Sequence, residues 1–244
     1  DPRLKLLATL AFILVASSAP PRAWPAFVLL PALVLVAVVA SRIPPVEVLQ
    51  RSLIALPFAG MIALSLPFTQ GGEPVWTWRP FGWELTVTDE GLILCGAVLT
   101  KAWLSVLAAA LLLATTPLFD LLQAMRALHV PAVLTSTMSF MYRYLFVLGE
   151  EAGRLQTAHA ARSAGPGGSL AWRARVLGGM IGSLFIRSYE RSERIYAAML
   201  SRGFAGEIHS LVRLTWQRHD SLAGLAWAAA LLAVVSLAQF RTWV

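Results

Sequence analysis

The chain has 244 residues, of which 57% are hydrophobic and only 14% are charged, and its formal net charge is +7. A typical soluble domain carries about 25% charged residues. This composition therefore argues against an ordinary soluble domain and indicates an integral membrane protein. The single cysteine, Cys95, excludes a disulfide within the chain and disfavours a cysteine-based zinc site.

Five apolar stretches approach the length of a membrane-spanning helix, which is about 17 to 25 residues. They are Leu4–Ala19, Trp24–Ala40, Ser52–Phe68, Gly91–Thr116 and Ser221–Phe240. We therefore predict an all-α integral membrane protein with about five transmembrane helices, and with long cytoplasmic helices inserted between spans 4 and 5. Residues 1–116 would hold spans 1 to 4, residues 117–220 the cytoplasmic insert, and residues 221–244 the last span.

The distribution of basic residues predicts the orientation of these spans. Sixteen of the twenty lysines and arginines fall on one side of the membrane, twelve of them between spans 4 and 5. Cytoplasmic segments carry an excess of basic residues. We therefore expect a multi-pass protein of a prokaryotic cytoplasmic membrane, with its N-terminus inside and its C-terminus outside.

Lys101 is the one ionisable residue well inside a predicted span. Such a residue is a candidate functional site, but a lysine can also extend its ammonium to the membrane interface. We favour the second interpretation because the spans contain no acidic partner for it.

The loop between spans 3 and 4 contains Trp76, Trp78 and Trp83. Tryptophan is enriched at membrane interfaces, which favours an anchoring role over a ligand site. Two alternating runs around Pro80–Gly82 also predict a short β-hairpin.

Three helices are predicted in the insert. The first runs from Pro117 to Leu128, where apolar residues recur at helical spacing. The second runs from about Pro131 to Arg162 and ends before a glycine-rich breaker. The third runs from about Leu170 to Arg202, and Gly203 takes the position after a helix that favours glycine. Within the third helix, the spacing predicts ion pairs of Glu190 with Arg194 and of Arg187 with Glu190.

Two similar tripeptides close the second and third helices. They are Ala161-Arg162-Ser163 and Ser201-Arg202-Gly203. An arginine at a helix C-terminus commonly interacts with the helix dipole. The repeat of small residue, arginine, small residue at two helix ends instead indicates two guanidinium groups that are presented to an acidic protein surface.

These features resemble the T component of energy-coupling factor (ECF) transporters, and within that family the cobalt/nickel branch of CbiQ/NikQ-type proteins. The resemblance rests on "TPLFDLLQAMRALHVP", "MYRYLFVLGEEAGRLQTAHAARS" and "RSYERSERIYAAMLSRGFAG". It implies a scaffold that joins two ABC-type ATPases to a substrate-binding membrane subunit, with six residues that contact the ATPases. The implied ATPase-coupling residues are Ala161, Arg162, Ser163, Ser201, Arg202 and Gly203.

The resemblance also implies which groups are absent from this chain. It implies no catalytic residue, bound cofactor or metal ligand, because partner subunits would use the ATP and one of them would bind a cobalt or nickel ion. The implied partners are the two ATPases, the substrate-binding subunit and the lipid bilayer, without nucleic acid.

Three other functions account for fewer of these sequence features. An ABC permease with its own substrate path is disfavoured because "EEAGRL" at 150–155 only faintly resembles a permease coupling loop. An intramembrane enzyme is disfavoured because the four histidines lack metalloenzyme spacing and there is no Gly-x-Ser-x-Gly or Walker A motif. A lipid-binding protein is electrostatically plausible, but it does not explain arginines placed beside helix breakers.

Overall fold

The computed structural model describes residues 1–41, 43–54, 56–69, 71–78, 85–162, 168–206 and 216–240. Its elements follow one another along the chain as ten helices and one two-stranded sheet within those ranges. They are α1 (Pro2–Ser18), α2 (Trp24–Ser41), α3 (Pro45–Leu53), α4 (Leu56–Ala63), α5 (Leu66–Thr69), β1 (Pro74–Trp78), β2 (Leu85–Thr88), α6 (Asp89–Thr115), α7 (Leu118–Ala127), α8 (Ala132–Arg162), α9 (Leu170–Ser201) and α10 (Arg218–Phe240). The prediction of an all-α membrane protein is confirmed, with one small sheet added.

The chain divides into two compact units, Asp1–Ala124 with Leu214–Val244, and Met125–Arg213. The first unit is built around α6, which packs against α1, α2 and the three short helices α3 to α5. Its core contains Phe12, Leu30 and Leu104, each at most 2% exposed. Such residues interlock the helices through close packing, which replaces the hydrophobic effect inside a membrane.

Two local contacts fix the short helices against α6. The indole of Trp103 donates a hydrogen bond of 3.1 Å to the hydroxyl of Ser52 on α3. At the start of α6, a Cβ atom added to Gly91 would lie 2.6 Å from the Cα of Pro67. Only glycine therefore allows α5 to approach α6 so closely.

The predicted number of spans needs a correction. Among the described residues, three helices are long and apolar enough to cross a membrane: α2, α6 and most of α10. The predicted third span is broken into α4 and α5, and it counts only if α3 and the segment Leu56–Thr69 form one bent span. Prolines explain the breaks, because Pro57 and Pro67 each occupy the second position of a new helix, where proline is tolerated.

The first predicted span, Leu4–Ala19, coincides with a helix of about the predicted length. The helix α1 has 17 residues, and its first turns carry Arg3 and Lys5. Its length lies at the lower limit for a transmembrane helix, and it is not among the three helices named above.

The predicted hairpin is confirmed. The strands β1 and β2 pair antiparallel, with Trp78 opposite Leu85 and Thr77 opposite Thr86. The predicted turn at Pro80–Gly82 and the side chain of Trp83 lie outside the described residues.

Lys101 caps the first helix instead of standing alone among apolar side chains. Its ammonium donates hydrogen bonds to the carbonyl oxygens of Ser17, at 3.2 Å, and of Ala19. These carbonyls lie at the C-terminal end of α1, where helical partners are missing. The residue therefore joins α6 to α1 through hydrogen bonds from a half-buried side chain.

The second unit consists mainly of α8 and α9, and both helices begin and end within one residue of their predicted limits. No residue of α9 is buried, and only Thr135 and Ser136 are buried in α8. This unit therefore lacks the interlocked apolar core of the first.

Candidate functional site

The first arginine lies at the end of α8. Ala161 and Arg162 form the last two positions of this helix and both are exposed. Ser163, the third residue of the predicted tripeptide, lies outside the described residues. The guanidinium of Arg162 makes no ion pair within the described part of the chain.

The second arginine lies at a well-defined helix end. Arg202 caps α9, and the amide of Gly203 donates to the carbonyl of Leu200 at 3.0 Å. The amide of Phe204 donates to the carbonyl of Met199 at 3.1 Å. These two bonds form a Schellman motif, which requires a left-handed residue after the cap. Gly203 supplies it with φ of +77°.

The residues beside Arg202 leave its side chain accessible. The hydroxyl of Ser201 donates a hydrogen bond of 2.8 Å to the carbonyl of Ala197 on its own helix. Gly203 has no side chain, and all three residues of the tripeptide are exposed. Within the described ranges Arg202 makes no ion pair.

Three contacts show that α8 and α9 run antiparallel. The rings of Phe140 and Phe204 meet edge to face at 6.2 Å. Further along, Arg187 donates to Glu151 at 3.2 Å. Near the end of α8, the rings of His159 and Trp172 lie 6.2 Å apart. Residue numbers rise on one helix as they fall on the other.

The two arginines therefore lie at opposite ends of the helix pair. Phe140 marks the level of Arg202, because its ring contacts Phe204 just beyond that residue. Arg162 follows Phe140 on the same helix by enough residues to place it about 33 Å away at a rise of about 1.5 Å per residue. The tripeptides thus form two separate binding points and not one double-charged patch.

Glu151 connects the two helices between these ends. One of its oxygens accepts from the Nε of Arg154 on its own helix at 3.1 Å, and the other accepts from Arg187 on α9 at 3.2 Å. Its side chain is 18% exposed, although both arginines are more than half exposed. The hydrogen bond from Arg154, opposed by desolvation and reinforced by Arg187, holds the pKa of Glu151 below its usual value.

The predicted ion pairs of α9 are met in part. Glu190 and Arg194 lie 3.9 Å apart, as the i,i+4 spacing predicts. Arg187, which the spacing assigned to Glu190, instead binds Glu151 on the neighbouring helix. The sequence contains the acidic pair Glu150-Glu151, but local spacing does not show which distant arginine it meets.

An apolar groove of about 680 Å³ lies between α8 and α9 on the side of Arg202. Phe140, Val147, Ile195, Tyr196 and Phe204 contribute to its walls. Sequence periodicity did not reveal this groove, because it depends on how the two helices are aligned.

Comparison with known protein families identifies the family of this chain. The sequence profile described as "CbiQ: Cobalt transport protein" matches residues 1–213. The chain belongs to the CbiQ cobalt transport family. The predicted resemblance to the cobalt/nickel branch is therefore confirmed, and the chain is an integral membrane protein of this transport family.

Several CbiQ-related proteins match the chain over different lengths. An uncharacterized protein of Methanocaldococcus jannaschii is 36% identical over 132 residues, 54% of this chain and 48% of that protein. The energy-coupling factor transporter transmembrane protein EcfT of Acidaminococcus fermentans is 29% identical, covering 100% of this chain and 91% of EcfT. Nickel permease LarQ of Lactiplantibacillus plantarum is 35% identical over 45% of this chain and 40% of LarQ. The chain thus spans about half the length of the first relative.

The described part of the chain contains no recognisable metal site. No group of three or more histidine, cysteine, aspartate or glutamate side chains there is arranged to hold a metal ion. His209 lies outside the described residues.

Proposed function

We propose that this chain is the T component of an ECF-type importer. It would be a non-catalytic membrane scaffold that couples ATP hydrolysis by two partner ABC-type ATPases to movement of a substrate-binding membrane subunit. The observation that carries this proposal is the pair of exposed arginines at opposite ends of one antiparallel helix pair, neither of which forms an ion pair with the residues that the structure describes. Two ends about 33 Å apart suit two partner proteins better than one.

Each arginine would dock into an acidic groove of one ATPase. The coupling residues would be Ala161, Arg162 and Ser163 at one end, and Ser201, Arg202 and Gly203 at the other. Guanidinium groups bind carboxylates in a bidentate geometry, and small neighbours leave room for the groove walls. Truncating one partner of such a pair costs about 2–5 kcal/mol, much of it from the unpaired charge that remains.

Glu151 would hold the two arginine ends at a fixed separation. Its bond to Arg187 lies between them, so that a force applied at one end turns the pair as a unit. Closure of the ATPases on ATP would move both arginines and thereby tilt the substrate-binding subunit. The nucleotide would bind the partners, and this chain would hold no cofactor.

The proposed substrate is a cobalt or nickel ion. The family description names cobalt transport, and the related LarQ is named a nickel permease. Ion coordination would belong to the substrate-binding partner. The excess of basic residues in the insert supports a cytoplasmic position for α8 and α9, with the N-terminus inside and the C-terminus outside a prokaryotic cytoplasmic membrane.

A pull-down in mild detergent tests the proposal. The tagged chain is purified from its native membranes, and the bound proteins are identified by mass spectrometry. We expect an ABC-type ATPase and a separate small membrane protein. The variant Arg162→Glu/Arg202→Glu should lose the ATPases, because two docking charges are reversed.

The matched control is Arg143→Glu/Arg175→Glu. It makes the same change in net charge at two exposed positions of α8 and α9 that are not helix ends. It should retain the ATPases. Loss of the ATPases from both double variants would indicate a general electrostatic effect. Retention of the ATPases by both would contradict the docking role and favour a permease with its own substrate path.

A further inference from the structure

A second apolar cavity, of about 750 Å³, lies within the membrane unit among α1, α2, α6 and α10. It begins near Lys5 and Thr115 and reaches Phe12 and Trp227. The distance from Lys5 to Phe12 along α1 is about 10 Å. It therefore starts where α2 and α6 end, and it extends into the depth of the helix bundle.

Small side chains create this cavity. Where larger residues would fill the space between the four helices, the walls carry Ala8, Ala37, Ala40, Ala108, Ala114 and Ala223. Phe12 and Val34, which are buried, form part of its apolar inner wall.

The polar groups of the walls are already satisfied by the protein. The hydroxyls of Thr9, Ser41 and Thr115 donate to carbonyls of their own helices at 2.7–3.2 Å. The indole of Trp227 donates to the carbonyl of Ala8 at 3.2 Å. Apart from Lys5 at the rim, the described walls are mainly apolar and offer water few hydrogen-bonding partners, so a hydrocarbon chain fills the cavity better.

The rim of the cavity is positively charged. Lys5 is the only charged residue among the described lining residues, and it is exposed. Its ammonium donates one hydrogen bond, to the carbonyl of Thr115 at 3.1 Å, and makes no ion pair within the described ranges. An ammonium has three donors, so two remain for a ligand at the membrane surface.

We propose that this cavity binds an anionic phospholipid from the leaflet that faces the beginning of α1. One acyl chain enters between the alanine-lined helices, and the phosphate lies against Lys5. Basic pockets between membrane helices recognise acidic lipid headgroups in this way. The site is independent of the arginine ends of α8 and α9, and its test does not depend on them.

Native mass spectrometry of the purified full chain tests the site. The protein is incubated with equal amounts of phosphatidylglycerol and phosphatidylcholine that carry the same acyl chains. Wild type should retain phosphatidylglycerol about fivefold over phosphatidylcholine, the preference expected from one favourable basic residue. Lys5→Gln should reduce that ratio to about one while both lipids still bind.

Two further variants distinguish binding of the acyl chain in the cavity from the effect of the charge of Lys5. Ala37→Leu fills the cavity and should reduce binding of both lipids, whereas Arg22→Gln removes an arginine that pairs with Glu90 and does not line this cavity. Arg22→Gln should keep the wild-type preference. Equal retention of the two lipids by wild type, or an unchanged preference in Lys5→Gln, would overturn the proposal and leave only nonspecific boundary lipid.

Discussion

The two units of this chain are held together in different ways. In the first unit, side chains from several helices interlock around Phe12, Leu30 and Leu104, which are almost completely buried. In the second unit, α9 has no buried residue. The contacts of α8 with α9 and with Phe204 just beyond it include two ring pairs and the Glu151–Arg187 ion pair. The first unit has the packing of a stable scaffold, whereas the second leaves most of its described side chains exposed or half-buried.

This difference predicts where substitutions change stability and where they change coupling. Removing a buried side chain from the first unit leaves a cavity that neighbours cannot fill. Removing an exposed side chain from the second unit leaves the fold intact and changes only what binds. The following variants test that separation.

The largest effect is expected at Leu104 in α6, which is 2% exposed. Leu104→Ala should destabilise the chain by about 2–5 kcal/mol, because it removes packed atoms and leaves a cavity. Leu113 lies on the same helix but is 60% exposed. Thermal unfolding in detergent should therefore show a large loss for Leu104→Ala and almost none for Leu113→Ala. Equal losses would contradict the packed core.

An intermediate effect is expected at Lys101. Lys101→Met removes the donor for the carbonyls of Ser17 and Ala19 and should cost about 1 kcal/mol, because these bonds are at most partly buried. The neighbouring Thr100 donates only within its own helix, to Gly96. Thr100→Val is the control, and its thermal unfolding should remain close to wild type. A stable Lys101→Met protein would show that these bonds do not hold α1 to α6.

A similar effect is expected where α9 ends. Gly203→Ala places a side chain at φ of +77° and should cost about 1 kcal/mol in the stability of this helix end. Gly149, in the middle of α8, has no atom within 4 Å of an added Cβ. Gly149→Ala should instead stabilise its helix by about 0.5–1 kcal/mol. Circular dichroism during heating measures both, and changes of the same sign would contradict the Schellman motif.

The smallest effect on stability, but a clear effect on geometry, is expected at Glu151. Glu151→Gln weakens the one ion pair that the described residues form between α8 and α9. With spin labels at positions 160 and 205 and Cys95→Ser, electron spin resonance should show a broader distribution of distances between the helix ends. Glu190→Gln alters an ion pair within α9 alone, and it should leave that distribution narrow.

The pH dependence of the same distances gives a second test of Glu151. Because its pKa is held below the usual 4.5, the bridge should persist from neutral pH to about pH 4.5. It should be lost only as the pH falls further, through the lowered pKa of the folded state. Broadening near pH 6 would contradict the assignment, since histidines titrate there.

The helices of the second unit were predictable because their ends carry strong local signals. The glycine-rich breaker follows Arg162, and Ser169, the N-cap of α9, precedes its first turn. Gly203 follows Arg202 in the same way. The hairpin was predictable because alternation over a few residues is also a local property.

The features that depend on distant residues were not predictable in this way. Arg187 was expected to pair with Glu190 but binds Glu151, because the alignment of two helices decides the partner. The third span was expected to be continuous, although Pro57 and Pro67 each occupy the second position of a new helix there. The groove and the lipid cavity likewise arise from packing between separate segments. The six coupling residues stay a prediction.

The most direct test of the coupling hypothesis is photo-cross-linking from each arginine end. A photoreactive amino acid replaces Ala160 or Ala205, which are exposed near Arg162 and Arg202, and Gly149 in mid-helix is the control position. If each end docks one ATPase, both end positions should cross-link to ATPase subunits in native membranes and the control position should not. Cross-linking of ATPases at Gly149 but at neither end would contradict the account.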